Sequence, residues 1–458
     1  MRLKRLRWLL VISVLSLLVA ACGDDEGTDT TEAPTDTEAP TDTEAPTDTT
    51  EAPTDTEPPG EAIEVMWIRG ADHPEGIAFI EVLNGFTEAT GIEVNYNGVG
   101  DDLPTILGTR VEGGDPPDIA VLAQPGLLRD LVTREAAQPV SQAVSDGMAA
   151  NFAPVWADLA TVDGTLYGVY FKAGNKSLVF YDIEAFDGLG AAHPESWDDW
   201  LTTSQNFVDN GFTPLAVGGA DGWTLSDWFE NVYVRTAGAD VYAQLTNHEI
   251  PWTDQSVVDA FSTMGELIGN PDFVAGGPDG ALQAGFVDAI VSVFGAGDAV
   301  MIEGPGDIAG IANEETGAVV GTDLAMFPFP SIDGSPGSVL GGGDVAVALT
   351  DNPSAMALLE YLTTPEAVES WAAAGGFTSP NQNLDLGIYP DDLSRATAEG
   401  LVNAEVFVFD MSDSVPAALG GTAGAGIWGG LQNWLENPDN VQAVLEQIEA
   451  EAVAAFGE

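Results

Sequence analysis

The stretch Tyr167-Gly-Val-Tyr-Phe-Lys-Ala-Gly-Asn-Lys-Ser-Leu-Val-Phe-Tyr-Asp182 decides how the rest of the chain is organised. Two runs of β-branched and aromatic residues, Val169 to Phe171 and Ser177 to Tyr181, predict two short strands. A polar kink, Lys172 to Lys176, separates them and carries two lysines in a chain with few cations. We interpret this stretch as a hinge at which the chain passes from one sheet to another.

The composition indicates a large globular protein with an acidic surface. At 458 residues the chain is too long for one ordinary core, so two domains are expected. The net charge is −61, and residues 62–458 hold 59 acidic residues against 8 lysines and arginines, which leaves −51. Such a field repels nucleic acid and anionic lipid, so we expect no nucleic-acid partner. A solvated surface suited to saline surroundings is the simplest interpretation.

Cysteine and histidine usage excludes two further classes of site. Cys22 is the only cysteine, so no intramolecular disulfide can form. The histidines His73, His193 and His248 are far apart in sequence, and the chain has neither HExxH nor CxxC. We therefore expect no metal site and no cofactor.

The N-terminus has the pattern of a bacterial lipoprotein signal. Arg2, Lys4, Arg5 and Arg7 precede the uncharged run Trp8 to Ala21, which is too short for a comfortable membrane span. Leu18-Val-Ala-Ala-Cys22 resembles a lipobox, in which cleavage precedes a cysteine that then carries a diacylglycerol. We predict a signal peptide at residues 1–21 and a lipid anchor at Cys22, with ordinary secretory cleavage as the alternative. The mature protein would then sit on the outer face of the bacterial cytoplasmic membrane.

Residues 22–61 are predicted to be a disordered tether. Thr-Asp-Thr-Glu-Ala-Pro repeats in this stretch, which has no aromatic residue, many threonines and prolines, and acids without cations. Such a composition cannot bury enough apolar surface to fold. Proline and charge repulsion favour an extended chain that holds the globular part away from the membrane.

Alternating strands and helices follow the tether. Strands are predicted at Ala62–Ile68, Ile92–Tyr96 and Ile119–Leu122, and helices at Gly76–Thr90 and Leu103–Val111. This alternation indicates a parallel sheet covered by helices. Ligands of such sheets bind beyond the carboxyl ends of the strands.

Several motifs together resemble the family 1 extracellular solute-binding proteins of ABC importers, and specifically their α-glucoside branch. The resemblance runs from about residue 62 to the end of the chain, and each motif is weak without the order and spacing of the others. The segments that carry it are Trp67-Ile68, Gly91-Ile-Glu-Val94, Gly113-Gly-Asp-Pro-Pro-Asp-Ile119, Tyr167–Tyr181, Gly222-Trp-Thr-Leu-Ser-Asp-Trp-Phe-Glu-Asn-Val-Tyr-Val-Arg-Thr-Ala-Gly238, His248-Glu-Ile-Pro-Trp252 and Gly420-Gly-Thr-Ala-Gly-Ala-Gly-Ile-Trp428.

The resemblance implies an α/β fold of two lobes, the type II periplasmic-binding-protein arrangement, in which each lobe is a mostly parallel sheet flanked by helices. It assigns residues 62–174 and 328–378 to the first lobe, and residues 175–327 and 379–458 to the second. Hinge crossings are expected near Gly174, near Phe327–Pro330 and around Gly375–Pro380.

The resemblance also implies a function. It predicts a monomeric receptor that captures a neutral α-glucoside or short oligosaccharide between its lobes and delivers it to an ABC permease, without catalysing a reaction. The alternative that the aromatic and acidic residues leave open is a surface-anchored carbohydrate-active enzyme or lectin-like module. Gly424–Gly429 satisfies G-x-G-x-x-G, but no convincing strand precedes it, so a dinucleotide site is disfavoured. Low cation content disfavours a glycerol-phosphate ligand, and a polyamine stays possible.

Candidate ligand-binding residues follow from the chemistry of sugars, which need aromatic platforms together with charged or amide hydrogen-bonding groups. Trp428 matches a position at which related sugar binders stack a tryptophan on a pyranose ring. Core packing is the alternative for Trp428 and for Trp228, and simple solvation is the alternative for the loop charges. The candidates are Arg69, Asp72, His73, Glu75 and Gln124 after first-lobe strands, Lys172 and Asn175 in the hinge, Asp344 after three glycines, and Trp223, Asp227, Trp228, Glu230, Glu303 and Trp428 in the second lobe.

The sequence leaves open the role of the two hinge lysines and the exact sugar specificity. Lys172 and Lys176 can either contact the ligand or form ion pairs that hold the lobes in register. Gly306 stands where many maltose-type binders have a sugar-stacking tryptophan after Gly-Pro, so the loop at Met301–Gly306 lacks that platform. Glu303 is expected to supply an acceptor instead, and malto-oligosaccharide specificity is disfavoured.

Overall fold

A computed structural model describes residues 60–457 of the chain. The predicted signal peptide, the lipid anchor at Cys22 and nearly all of the predicted tether lie outside the described residues. The strands are β1 Ile63–Trp67, β2 Val94–Gly98, β3 Ile119–Leu122, β4 Thr161–Val162, β5 Thr165–Leu166, β6 Gly168–Asn175, β7 Leu178–Asp182, β8 Leu215–Ala216, β9 Met301–Gly304, β10 Leu324–Pro328, β11 Ser338–Ala348 and β12 Val406–Phe409.

Helices cover the sheets and account for much of the remaining chain. In the part of the chain that the structure describes they are α1 Pro74–Thr90, α2 Leu103–Gly113, α3 Pro125–Thr133, α4 Gln142–Asn151, α5 Pro154–Leu159, α6 Ile183–Leu189, α7 Trp197–Asp209, α8 Trp223–Ala237, α9 Ala239–Thr246, α10 Gln255–Leu267, α11 Gly277–Ala281, α12 Phe286–Val291, α13 Ile308–Thr316, α14 Pro353–Leu362, α15 Glu369–Ala374, α16 Asp392–Val402, α17 Met411–Ser414, α18 Ala417–Gly420, α19 Gly426–Glu436 and α20 Val441–Phe456. Among these residues no helix is both long and apolar enough to cross a membrane.

The first sheet has the strand order β12-β11-β3-β1-β2, with β6 paired to β11. Strand β1 is parallel to β2 and β3, and β11 is parallel to β12, as the alternation of strands and helices predicts. Strand β11 runs antiparallel to β3 and to β6. The predicted strand at Ile119–Leu122 is confirmed with both of its ends. All four of its residues are buried in the centre of this sheet.

The second sheet has the order β10-β7-β9-β8. Only β8 and β9 are parallel, whereas β7 runs antiparallel to both β9 and β10. The parallel pairing expected of both lobes is therefore limited to one pair here.

The crossing is the stretch from β6 to β7. Because β6 belongs to the first sheet and β7 to the second, the predicted passage between sheets is confirmed. Strand β6 contains a bulge where it pairs with β11. Asp344 lies opposite Lys172 and Val345 lies opposite Tyr170, so Phe171 is the extra residue of the bulge. Strand β6 continues through Asn175, so the break predicted at Lys172–Lys176 is confined to Lys176 and Ser177, and the bulge adds local twist ahead of it.

Buried side chains form separate apolar clusters around the two sheets. One contains residues of the first sheet such as Trp67 and Val345, and another contains second-sheet residues such as Val179 together with Trp434 of α19. Leu384, Ala398 and Leu401 pack in the first of these clusters. The lobe boundaries stay predictions, and this packing leads us to propose that residues up to about α16 accompany the first lobe rather than the second.

Candidate functional site

Polar side chains from both sheets meet around the crossing. Lys172 and Lys176 lie on either side of Ala173–Asn175, and each is surrounded by carboxylates. We call the group formed by Arg69, Glu75, Lys172 and Asp344 the first ion cluster. The second ion cluster comprises Lys176, Asp227, Asp410 and Asp413.

Every charge of the first ion cluster has an opposite partner. The Lys172 ammonium lies 2.8 Å from Glu75 Oε1 and 3.0 Å from Asp344 Oδ2. The other oxygen of Glu75 lies 2.6 Å from Arg69 Nε, and Asp344 Oδ1 accepts a hydrogen bond of 3.2 Å from Trp67 Nε1. Burial opposes the charged form of Lys172, but the carboxylates of Asp344 and Glu75 outweigh it and raise its pKa. Burial likewise opposes the charge on Glu75, yet Lys172 and Arg69 lower the pKa of that carboxyl.

The start of α1 places Glu75 in the first ion cluster. His73 caps this helix, because its Nδ1 accepts a hydrogen bond of 3.2 Å from the backbone N–H of Glu75. Pro74 occupies the first helical position, where its missing N–H costs nothing. Glu75 therefore sits in the first turn, while Asp72 and His73 are exposed beside it.

The second ion cluster has more carboxylates than cations. Lys176 Nζ lies 3.1 Å from Asp227 Oδ1 and also pairs closely with Asp410. The backbone N–H of Asp410 donates to the carbonyl of Gly341 in β11, at 2.8 Å, while Asp227 belongs to α8 of the second lobe. Lys176 therefore links α8 to the segment that follows β12, and its role in holding the lobes in register stays a prediction.

One carboxylate oxygen of this cluster has no partner. Asp227 is 1% exposed, and its Oδ2 is buried without a hydrogen bond among residues 60–457. Burial and the charge of Asp410 raise the pKa of Asp227, although Lys176 acts in the opposite direction. Burial and Asp410 also raise the pKa of Asp413 to about 7. An acceptor or proton site is thus available that the protein itself leaves unused.

A hydrogen-bond network under this cluster fixes the crossing on α8. Asn231 Nδ2 donates to the carbonyl of Lys176 at 2.9 Å and to Glu303 Oε1 at 3.0 Å. Its Oδ1 accepts from Ser177 Oγ and from Arg235 Nη1. Glu303 is 6% exposed, and burial raises its pKa well above the ordinary value. Glu303 therefore lies beneath the site as part of its support, where a ligand has little access to it.

Half-buried aromatic rings lie beside the second ion cluster. The Trp223 ring packs edge-to-face against Phe286, with centroids 4.8 Å apart, and Lys176 Nζ lies 5.6 Å from the Trp223 centroid. Trp428 packs closely on Gly222, where an added Cβ would come within 2.8 Å of the Trp428 Cβ. These rings keep part of their surface accessible, as platforms for a sugar must.

Gln124 approaches the same region from the first lobe. It precedes α3 at the carboxyl end of β3, and its Nε2 lies 4.0 Å from the position of a Cβ built on Gly421. Arg129 of α3 donates to the carbonyl of Ser414 at 2.8 Å, so the two lobes are in contact here. Gln124 is thus adjacent to the loop that leads into Trp428.

Three of the predicted site residues are buried and engaged in contacts within the protein. Trp228 is 1% exposed and stacks on Trp200 in the second core, with centroids 5.3 Å apart. Glu230 is fully buried and accepts hydrogen bonds from Tyr242 Oη and from the backbone N–H of Met411, which anchors α17. Asn175 is 3% exposed, and its Oδ1 accepts from the Ser177 N–H at 2.9 Å in the turn between β6 and β7.

Comparison with known proteins assigns the family. Residues 81–398 match the family described as "Bacterial extracellular solute-binding protein". This chain belongs to that family. An osmoprotective compounds-binding protein of Synechocystis is 37% identical over 81% of this chain and 87% of its own length. An α-glucosides-binding periplasmic protein of Rhizobium meliloti is 32% identical over 78% of this chain and 80% of its own.

Solved structures confirm the fold of this solute-binding protein. The galactopyranose-preferring solute receptor AcbH superposes with a TM-score of 0.74, at 21% identity, over 87% of this chain and all of that one. The raffinose complex of RafE superposes with a TM-score of 0.66, at 19% identity, over 86% of this chain and 99% of that one. The predicted two-lobed type II fold and the resemblance read from the motifs are both confirmed.

Sequence reasoning missed three acidic residues of this receptor: Asp307, Asp410 and Asp413. Asp410 directly follows β12, which is parallel to β11, so the rule that strand carboxyl ends carry sites could have found it. Asp307 follows Gly306 in a loop whose position depends on a hydrogen bond of 3.1 Å from the Gly306 N–H to the Asn175 carbonyl. Only the fold reveals that contact. No group of His, Cys, Asp and Glu side chains in residues 60–457 is arranged to hold a metal ion.

Proposed function

We propose that this chain is the extracytoplasmic receptor of an ABC importer and captures a neutral α-glucoside or short oligosaccharide at the crossing between its lobes. The observation that carries the proposal is the convergence of both ion clusters with the half-buried rings of Trp223 and Trp428. Charged oxygens and nitrogens suit the hydroxyl rim of a sugar, and aromatic faces suit its C–H surface.

The names of two relatives support the proposed class of ligand. The names of the two relatives describe binding of osmoprotective compounds and of α-glucosides. An uncharged polyhydroxyl ligand fits a site in which Lys172 and Lys176 are already paired with carboxylates and are not free to neutralise an anion. Gln124 from the first lobe and Trp428 from the second would contact such a ligand from opposite sides.

The mechanism is binding without chemistry. The lobes open and close about the crossing, and a ligand that contacts both lobes favours the closed form by its differential affinity. The permease would recognise that closed form.

A lipid anchor at Cys22 would keep the receptor at the membrane. Two features of the sequence support this anchor. The segment Leu18–Cys22 resembles a lipobox and follows an uncharged run, and Cys22 is the single cysteine of the sequence. We expect the anchored protein to act as a monomer. Replacement of Cys22 by serine should release the protein from cells into the medium, and retention on the membrane would contradict the anchor.

Calorimetry combined with product analysis tests the function. Trehalose, sucrose, maltose and raffinose would be titrated into the protein and then recovered and identified. Saturable binding of one ligand per chain with unchanged sugar supports the receptor. Turnover of any of these sugars would favour the carbohydrate-active enzyme, and the absence of binding would contradict the proposed ligand class.

A further inference from the structure

We infer that Glu230, Asn231 and Arg235 form the pivot of this receptor and act as positioning residues that set its ligand affinity without touching the ligand. The inference rests on the proposed function and adds the residues that control it. In residues 60–457 the chain makes three passages between the first sheet and the core of the second, namely β6 to β7, β10 to β11 and β12 to α17. Each of the three passages is hydrogen-bonded to one of these residues of α8.

The three pivot residues lie together on one buried face of α8. Asn231 and Arg235 are one helical turn apart, and Glu230 is next to Asn231. Glu230 and Asn231 are fully buried, and Arg235 is 7% exposed. Trp223, one of the two proposed platforms for the sugar, is the first residue of the same helix. A change in how α8 meets the passages would therefore move a proposed ligand contact.

Asn231 holds the first passage and Arg235 holds the second. Asn231 Nδ2 donates to the carbonyl of Lys176, between β6 and β7, at 2.9 Å. Arg235 Nη2 donates at 2.7 Å to the carbonyl of Ser338, the first residue of β11. Arg235 Cζ also lies 4.6 Å from the ring centroid of Phe329, which follows β10. Because Arg235 Nη1 donates to Asn231 Oδ1 at 3.0 Å, the supports of the two passages are joined.

Glu230 holds the third passage. Its Oε2 accepts a hydrogen bond of 2.6 Å from the backbone N–H of Met411, and its Oε1 accepts one of 3.2 Å from the backbone N–H of Ser412. Tyr242 Oη lies 2.5 Å from Glu230 Oε2 and 3.0 Å from the carbonyl oxygen of Phe409, the last residue of β12. Glu230 and its partner Tyr242 therefore fix both sides of the point at which the chain leaves the first sheet.

This shared support makes the geometry of the three passages depend on one network. A buried polar network selects one arrangement of the groups that it joins, and the loss of one donor leaves its acceptors buried and unpaired. Without the Arg235 guanidinium, the Ser338 carbonyl and Asn231 Oδ1 would each lose a donor. Fewer molecules would then hold the two sides of the site in the arrangement that binds the sugar, and the apparent affinity falls by the same factor as that population.

The test measures the distance between the lobes together with the affinity, in a Cys22→Ser background where introduced cysteines are the only ones. Ala89→Cys in α1 and Ser262→Cys in α10 place spin labels at exposed positions for distance measurement by pulsed EPR. Arg235→Lys keeps the charge and loses the planar fork that reaches two acceptors. It should broaden the distance distribution of the ligand-free protein, and should weaken binding of the tightest neutral sugar by about 10-fold.

Two further variants frame this result. Arg110→Lys is the matched control, because Arg110 contacts both Glu64 oxygens, at 2.7 and 2.8 Å, away from the passages. It should lower stability and leave the distances and the affinity unchanged. Tyr242→Phe removes a single hydroxyl at the third passage and provides the test if Arg235→Lys fails to fold. It should also broaden the distribution and should weaken binding by roughly 3-fold.

The outcomes separate the pivot from the proposed function. A folded Arg235→Lys or Tyr242→Phe protein with the native distance distribution overturns the inference and leaves the proposed function intact. A broadened distribution with native affinity overturns it as well, because the passages would then not control binding. If no neutral sugar binds the native protein, the proposed function fails, and the ligand-free distances still decide whether α8 is the pivot.

Discussion

The two ion clusters differ in how their charges are balanced. In the first, Lys172 pairs with Glu75 and Asp344, whose side chains are 20% and 8% exposed. In the second, Lys176 pairs with Asp227 and Asp410, whose side chains are 1% and 2% exposed. The carboxylates of the first cluster are therefore more accessible to water than those of the second, although the two lysines are similarly exposed. We therefore propose that the first cluster borders the ligand, whereas the second is a buried support of the crossing and holds one carboxylate oxygen without a partner.

The largest effect is expected from removing the cation of the second cluster. Lys176→Met leaves Asp227 and Asp410 buried without their counter-ion, which should lower the free energy of unfolding by about 3–5 kcal/mol. Lys172→Met is the matched control and should cost clearly less, because Glu75 keeps Arg69 and remains partly hydrated. Urea unfolding at neutral pH measures both variants. Equal losses would show that partner burial does not distinguish the clusters.

The pH dependence of stability should also have opposite signs for Asp413 of the second cluster and Glu75 of the first. The pKa of Asp413 is raised to about 7, so the folded protein binds this proton more tightly than the unfolded chain. That contribution is present at low pH and is lost as the pH rises from about 4 through 7. The lowered pKa of Glu75 acts in reverse, since its contribution is present at neutral pH and is lost as the pH falls.

Asp413→Asn tests this sign directly. The variant should unfold with the same or lower free energy than the native protein near pH 4.5, and should be more stable near pH 8 by on the order of 1 kcal/mol. Asp72→Asn, at an exposed position beside the first cluster, serves as the control. A difference between Asp413→Asn and the native protein that stays constant from pH 4.5 to 8 would contradict the assignment.

The smallest effect concerns the aromatic platform beside the second cluster. Trp428→Ala should weaken sugar binding by at least about 1 kcal/mol if the ring stacks on the ligand. Trp228→Phe is the control in the neighbouring core, and it should lower stability while leaving affinity unchanged. Calorimetry with the tightest neutral sugar measures both. An unchanged affinity for Trp428→Ala would remove this ring from the site.

The local pattern of apolar and polar residues was sufficient to predict much of the fold. The strand at Ile119–Leu122 has the predicted bounds, because a short apolar run reports directly on burial. The passage between sheets at Lys172–Lys176 was also predictable from two apolar runs around a polar break. Trp228 lies in the core, which was the alternative interpretation, and the burial of Glu230 was not predictable because α8 is buried on nearly every side and its polar residues carry no periodic signal.

The partners in the candidate site could not be predicted in the same way. Lys176 and Asp410 are 234 residues apart in sequence, and only the packing of β12 beside β11 brings them together. Asp307 likewise gains its place from a backbone contact with Asn175. Sequence showed that lysines and carboxylates were available near strand ends, but pairing between distant segments depends on the register of the folded sheets.

The most direct test of the central claim is a crystal structure of the protein with the neutral disaccharide that binds most tightly. The account predicts a single sugar at the crossing, with one ring against Trp428 or Trp223 and with contacts to both lobes. A sugar bound away from the crossing, or one that contacts a single lobe while both ion clusters keep their present partners, would contradict it.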